Sequence, residues 1–307
     1  MKIYCTTFFL LLMLFSKQIY ANQIDNLKTD KEVEDFLKLV QPQFAKNGSF
    51  NIYPTDSVAK ALDCNGVFRQ WKINNWEKID ITNDGLTDLL FVAHWYNYKS
   101  FALIDDGNNS FKLFWFSKNS FENCDFIKPI KINSKNYLKV YHKAVERDEQ
   151  SKIPFSYKDL VIIDTLIFKF SDFIEFNPTP KNKSEIATIE IYTSTCFGTC
   201  PSFTLQLLES GLANFDGIDY TKFKGKSTKK LPTRFFEEIA DLITYIDIKN
   251  LKDHYEVSWT DDQTATIKIT FKDKSVKEIS DYGKQGTFGL SAVYSKLIKI
   301  GTNWNSY

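Results

Sequence analysis

Apolar positions change their period twice along this chain, and each change predicts a different kind of element. Thr29-Asp30-Lys31-Glu32 has the S/T-x-x-E spacing of a capping box, and Val33, Phe36, Leu37 and Val40 follow at intervals of three and four. That spacing predicts a short helix from about Asp30 to Gln41, limited by Pro42. From Phe50 to Phe176 the pattern is mostly strand-like. Stretches 88–95, 101–104, 111–116, 137–141 and 160–170 are rich in aromatic and β-branched residues, with turn clusters such as Asp105-Asp106-Gly107-Asn108-Asn109 between them. Two prolines and polar residues then interrupt the pattern over 177–183.

Beyond that break, Ile189 and Ile191, then Phe203, Leu205 and Leu207, alternate with polar positions as half-buried strands do. Pro232 suits a first helical turn, and Phe235, Ile239, Leu242 and Ile246 line one helical face. Ile267, Ile269 and Phe271 alternate ahead of Asp273-Lys274, and Leu290, Val293, Tyr294 and Leu297 mark a last helix. The expected class is α+β and β-rich: an N-terminal antiparallel β domain with one leading helix, then a C-terminal antiparallel sheet with two helices on one face.

The chain opens with Lys2, an apolar run from Phe8 to Phe15, and Ile19-Tyr20-Ala21, which is the order of a secretory signal. The run is far shorter than the roughly 20 residues that span a bilayer, and Cys5 lies ahead of it, where no lipoprotein cysteine would sit. Residues 1–21 are therefore expected to be a cleaved signal peptide, with a β-rich domain at 22–178 and an α+β domain at 179–307. The expected location is periplasmic or secreted, with no transmembrane anchor after cleavage. Lysine and arginine (39) balance aspartate and glutamate (38), so the basic excess of a nucleic-acid binder is missing.

Of the five cysteines, Cys5 would leave with the leader. The remaining Cys64, Cys124, Cys196 and Cys200 are an even set in an oxidising compartment, which points to two disulfides. If each domain keeps its own pair, the bridges are Cys64–Cys124 and Cys196–Cys200. The first closes a long loop and stabilises by roughly 4 kcal/mol; the second closes a small one and gives roughly 2 kcal/mol.

Asp80-Ile81-Thr82-Asn83-Asp84-Gly85-Leu86-Thr87-Asp88 places oxygen-bearing residues at positions 1, 3, 5 and 9, with glycine at 6 where the chain must turn. Three carboxylates, the Thr82 hydroxyl and the Leu86 carbonyl suit calcium, which takes six to eight oxygen ligands. The loop resembles the D-x-[DN]-x-D-G-x-x-D-L loop of FG-GAP and VCBS-type repeats. Asp80, Asp84, Gly85 and Asp88 match, and Thr82 departs from the usual Asn or Asp. The resemblance implies a structural calcium ion held by Asp80, Thr82, Asp84, Leu86 and Asp88. It covers some fifteen residues and occurs once, so it does not imply a propeller. An ordinary polar hairpin turn is the alternative reading.

Thr195-Cys196-Phe197-Gly198-Thr199-Cys200-Pro201-Ser202-Phe203 lies between two expected strands. With the stretch from Tyr255 to Asp262, it resembles a bacterial domain family of unknown function marked by a C-x-G-x-C-P-x-[FY] box, over Ile186 to Gly301. That resemblance implies no activity. The cysteine spacing is wider than the thioredoxin type and no helix start follows it, so a structural disulfide is preferred to a redox pair or a metal site. Zinc would need further ligands, and His254 is the one histidine of that domain.

No residue is assigned a catalytic role. His94, His142 and His254 are scattered, and neither a Gly-x-Ser-x-Gly elbow nor a His-Glu-x-x-His helix is present. Lys222, Lys224, Lys226, Lys229 and Lys230 read first as a protected sheet edge and second as a contact for an anionic surface. Trp95, Tyr96 and Tyr98 are candidate stacking residues, with core packing as the alternative. The sequence thus favours an exported, non-enzymatic binding or structural envelope protein whose partner is a glycan or another envelope protein. Its rival is an extracytoplasmic enzyme, working by thiol redox at Cys196 and Cys200 or as a hydrolase with carboxylates near Asp261 and Asp262. A deep polar cleft holding perturbed acids would favour the rival.

Overall fold

The computed structural model describes residues 23–46, 48–62, 64–117, 124–180 and 185–307; the leader expected at 1–21 lies outside them. Helix α1 (Asp30–Val40) starts where the capping box predicts. The Thr29 hydroxyl accepts the Glu32 backbone N–H at 3.2 Å, and the Glu32 carboxylate accepts the Thr29 N–H at 3.1 Å. Three short helices follow, α2 (Pro42–Ala45), α3 (Thr55–Ala61) and α4 (Val67–Gln70). Residues 50–71 therefore depart from the strand-like expectation. Val58, Leu62, Val67 and Phe68 bury as a satellite cluster beneath the sheets, and they need only single turns to do so.

Two four-stranded antiparallel meanders come next: β1 (Trp76–Ile79), β2 (Asp88–Trp95), β3 (Asn97–Asp105) and β4 (Phe111–Trp115), then β5 (Phe126–Ile132), β6 (Lys135–Arg147), β7 (Tyr157–Lys169) and β8 (Asp172–Glu175). They stack as a sandwich. Leu89, Phe91 and Ala93 of β2 face α1 and α2, whereas Leu90 faces Ile127, Leu138, Val140 and Leu166 of the second sheet. Burial on both faces explains why β2 reads as an unbroken apolar run rather than an alternation.

The remainder forms a seven-stranded sheet in the order β12-β11-β10-β9-β14-β15-β13. Its members are β9 (Ile186–Thr193), β10 (Ser202–Leu208), β11 (Leu212–Asp219), β12 (Gly225–Lys230), β13 (His254–Tyr255), β14 (Thr264–Phe271) and β15 (Val276–Tyr282). All pairings are antiparallel except that of the two-residue β13, which joins β15 in parallel. Helices α5 (Thr233–Tyr245) and α6 (Phe288–Thr302) pack over one face, where Ile239, Leu242, Val293 and Leu297 share a core with Ile191, Leu205 and Ile267. The described chain is thus α+β and β-rich. No described helix is long and apolar enough to cross a membrane.

The two halves share hydrophobic material. Ile174 of β8 belongs to the core under α5 and α6, and Phe288 of α6 reaches the sandwich core. Asn177 clamps the junction: its backbone N–H donates to the Tyr245 hydroxyl at 3.0 Å, and its amide donates to the Tyr245 carbonyl at 2.8 Å.

Candidate functional site

A concavity of about 1250 Å³ lies between the halves. The β6–β7 ribbon forms one wall. The other comes from β13, the loop through Trp259 and the turn from Gln285 to Thr287 ahead of α6. Register builds the first wall: Val140 lies opposite Asp164 and His142 opposite Ile162, so His142 and Asp164 are diagonal neighbours on one face. His142 Nε2 lies 3.0 Å from Asp164 Oδ2, and its ring meets Phe288 edge-on at 5.5 Å.

The second wall is fixed by buried polar contacts. Asp281, fully buried, accepts the backbone N–H of Gln285 at 2.8 Å and of Gly286 at 2.9 Å. A Cβ at Gly286 would sit 2.7 Å from that carboxylate, so the turn requires glycine. From the facing half, Glu175 of β8 accepts the N–H groups of Phe288 (2.5 Å) and Gly289 (2.8 Å) at the start of α6. A carboxylate there satisfies two orphan donors and complements the helix dipole. The Tyr255 hydroxyl accepts the Lys252 N–H at 3.2 Å, and burial pushes that phenol above its ordinary value.

Two ion pairs among the described residues cross the cleft, whose lining carries eight carboxylates and four Lys and Arg. Glu146 of the ribbon meets Lys158 at 3.2 Å and Lys252 of the opposite wall at 2.6 Å, and Glu256 lies 3.8 Å from Arg147 and 3.6 Å from His254. Trp259 lines the cleft with its indole N–H donating to Asp262 at 3.2 Å. Asp262, a candidate hydrolase acid, therefore holds an aromatic ring. Asp88, Asp105 and Asp172, the carboxylates that burial raises above their usual range, lie outside the lining.

The Asp80–Asp88 loop sits elsewhere, docked on the β5–β6 turn through Asn83 and Asn136. Asp80 accepts the N–H groups of Asp84 (3.0 Å) and Gly85 (2.9 Å), Asp84 accepts that of Leu86 (2.8 Å), and Gly85 turns with φ 94°. Asp88 is fully buried, taking Ile81 (2.9 Å) and Thr82 (3.3 Å) on one oxygen and Asp105 (3.0 Å) on the other. Burial outweighs these bonds and pushes Asp88 up to about 7. The donors are oxygen only, which fits a hard cation in kind. Among the described residues, no three His, Cys, Asp or Glu side chains form a metal-binding group.

The structure bonds Cys64 to Cys124 and Cys196 to Cys200, with Cα separations of 5.6 and 5.7 Å. The second bridge closes a tight loop in which Phe197 stands 89% exposed and donates its N–H to the Asp261 carbonyl. Of the lysine cluster, Lys224 pairs with Asp219, and Lys229 donates to the Trp304 and Tyr307 carbonyls. Trp95 packs on Phe44 and Trp115 while Tyr96 is 67% exposed, and His94 meets Tyr98 edge-on. Sequence reasoning missed the cleft. His142 and Asp164 meet only through the β6–β7 register, and a hairpin with a nine-residue connection does not announce its register.

Residues 187–301 match the family described as Domain of unknown function (DUF6438). That span holds the wall built from β13 and the α6 turn, and excludes β6 and β7. No curated protein matches the chain, and no solved structure does.

Proposed function

We propose that this chain is an exported, non-enzymatic binding protein that holds a neutral glycan in the cleft between its halves. The observation that carries the reading is a large open cleft whose walls come from both halves and set many polar side chains around the Trp259 and Tyr255 rings. A site of that kind offers hydrogen-bond donors and acceptors, its eight carboxylates against four Lys and Arg disfavour an anionic sugar, and the anchored Trp259 ring with Tyr255 supplies apolar surface for a sugar face. The disulfides at Cys64–Cys124 and Cys196–Cys200 support an oxidising location.

Calorimetric titration with cello-, chito- and maltohexaose tests the reading. Saturable binding of at least one, weakened at least about tenfold by Trp259→Ala, is the expected result. Heats absent for all three, or binding that Trp259→Ala and Arg147→Ala leave unchanged, would overturn it.

The Asp80–Asp88 loop is the second part of the proposal. Asp80, Thr82, Asp84, Leu86 and Asp88 would hold calcium as a structural ion, whose charge would relieve the mutual repulsion of Asp84 and Asp88. Its test is the melting temperature of metal-stripped protein: calcium raises it if the reading is right, and no shift removes it.

A further inference from the structure

Ahead of Leu166, β7 is paired with β6 on one side, and among the described residues no strand lies on the other. β8 pairs only with residues 166–169, and the Phe176 N–H then donates to the Thr165 carbonyl at 2.7 Å. Thr165 therefore points its backbone toward that edge. In a strand with a two-residue repeat, Ile163, Val161, Asp159 and Tyr157 point theirs the same way. Among the described residues, nothing pairs with those backbone groups. Val161 and Ile163 are 53% and 55% exposed on the face turned away from the cleft. A bare edge bearing apolar side chains is a template for another strand.

The edge is close to its own complement. Run antiparallel about Val161, residues 158–164 place Val161 opposite Val161, Leu160 opposite Ile162, and Lys158 opposite Asp164. Val161 is also one of the residues whose backbone faces outward, so the dyad falls on a hydrogen-bonded pair, as a two-fold ladder of this parity requires. Asp159 and Ile163 pair across it, giving about six main-chain hydrogen bonds. Glu175 and Phe176 occupy the edge from Thr165 onward and confine the partner strand to this short register.

We propose that two copies of this chain associate through β7, antiparallel, with the two-fold axis at Val161. Self-complementarity of the strand selects a second copy as the occupant: Val161 falls on Val161 and Leu160 on Ile162, and Lys158 and Asp164, which within one chain meet Glu146 and His142, come opposite each other across the axis. The interface lies on the strand edge, bordered by Val161 and Ile163 on one face of the ribbon and by Lys158, Leu160, Ile162 and Asp164 on the cleft face.

Light scattering on the full chain tests this over a dilution series. The expected mass is twice that of one chain, falling on dilution. Val161→Lys sets two ammonium groups against each other on the axis and raises the dimer dissociation constant at least about tenfold. Val161→Cys places two thiols across a pair with Cα atoms about 5.5 Å apart, so mild oxidation yields a covalent dimer. Lys158→Cys, which does not face itself, yields none, and the parent chain with the same native cysteines is the control. Should Val161→Lys misfold by circular dichroism, the charge swap decides: Lys158→Asp dissociates the dimer, and adding Asp164→Lys restores it. A monomer at every concentration, or a dimer indifferent to Val161→Cys oxidation and the charge swap, would overturn the proposal.

Discussion

Asp88 concentrates the tension between burial and hydrogen bonding in a single side chain. Its carboxylate is cut off from solvent yet accepts three backbone N–H groups that tie the 80–88 loop to β3. Asp88→Ala strands those donors and is expected to cost about 3 kcal/mol in urea denaturation, net of the desolvation it relieves. Asp172, at the β7–β8 turn, is also raised by burial, partly offset by the N–H of Phe173 and by Lys112. Its folded value exceeds the unfolded one, near 3.9. The folded chain therefore keeps this proton longer, and the contribution to stability falls as pH climbs from the unfolded value through the folded one. Asp172→Asn, which retains an acceptor for Phe173, should match the parent near pH 4 and exceed it at neutral pH. Urea midpoints across a pH series check the crossover.

At the level of elements, local rules explain what was legible and where it stopped. The α1 capping box could be read because Thr29 and Glu32 carry the whole interaction within one turn; Thr29→Ala should cost about 1 kcal/mol, measured by thermal or urea unfolding. β2 and β4 were legible from their aromatic and β-branched content, and the strands around Ile191, Leu205 and Ile267 because burial on one sheet face imposes its own period. β1 was not, since three of its four residues are only half-buried and Lys78 is exposed. β5 hid behind Pro129, a residue that strand reading discounts. On α5 the periodicity pointed to Phe235, yet the helix buries Phe236 and Ile243 with Ile239 and Leu242, a face turned by one residue to meet β9. The cleft was illegible for a different reason. The ion pairs that cross it join residues far apart in sequence, Glu146 with Lys252 and Arg147 with Glu256, and only the packed halves define them.

For the molecule as a whole, Glu175 and the Cys64–Cys124 bridge are the long-range ties. Glu175→Ala removes the acceptor that β8 offers to the first turn of α6, and is expected to cost about 2 kcal/mol while loosening the wall at Thr287. Differential scanning calorimetry should then show a broadened or split transition where the parent melts once. The Cys64–Cys124 bridge spans 60 positions and Cys196–Cys200 spans 4. Replacing the first pair by serine should cost about 4 kcal/mol and the second about 2, an ordering that denaturant titration of the two double variants resolves. β2 and β3 lie between the helical layer and the second sheet, so solvent reaches their amides only when both coverings part. In deuterated buffer the N–H groups of Phe91 and Leu103 should therefore be among the last to exchange. Their rate reports the opening of the entire sandwich rather than any local breathing.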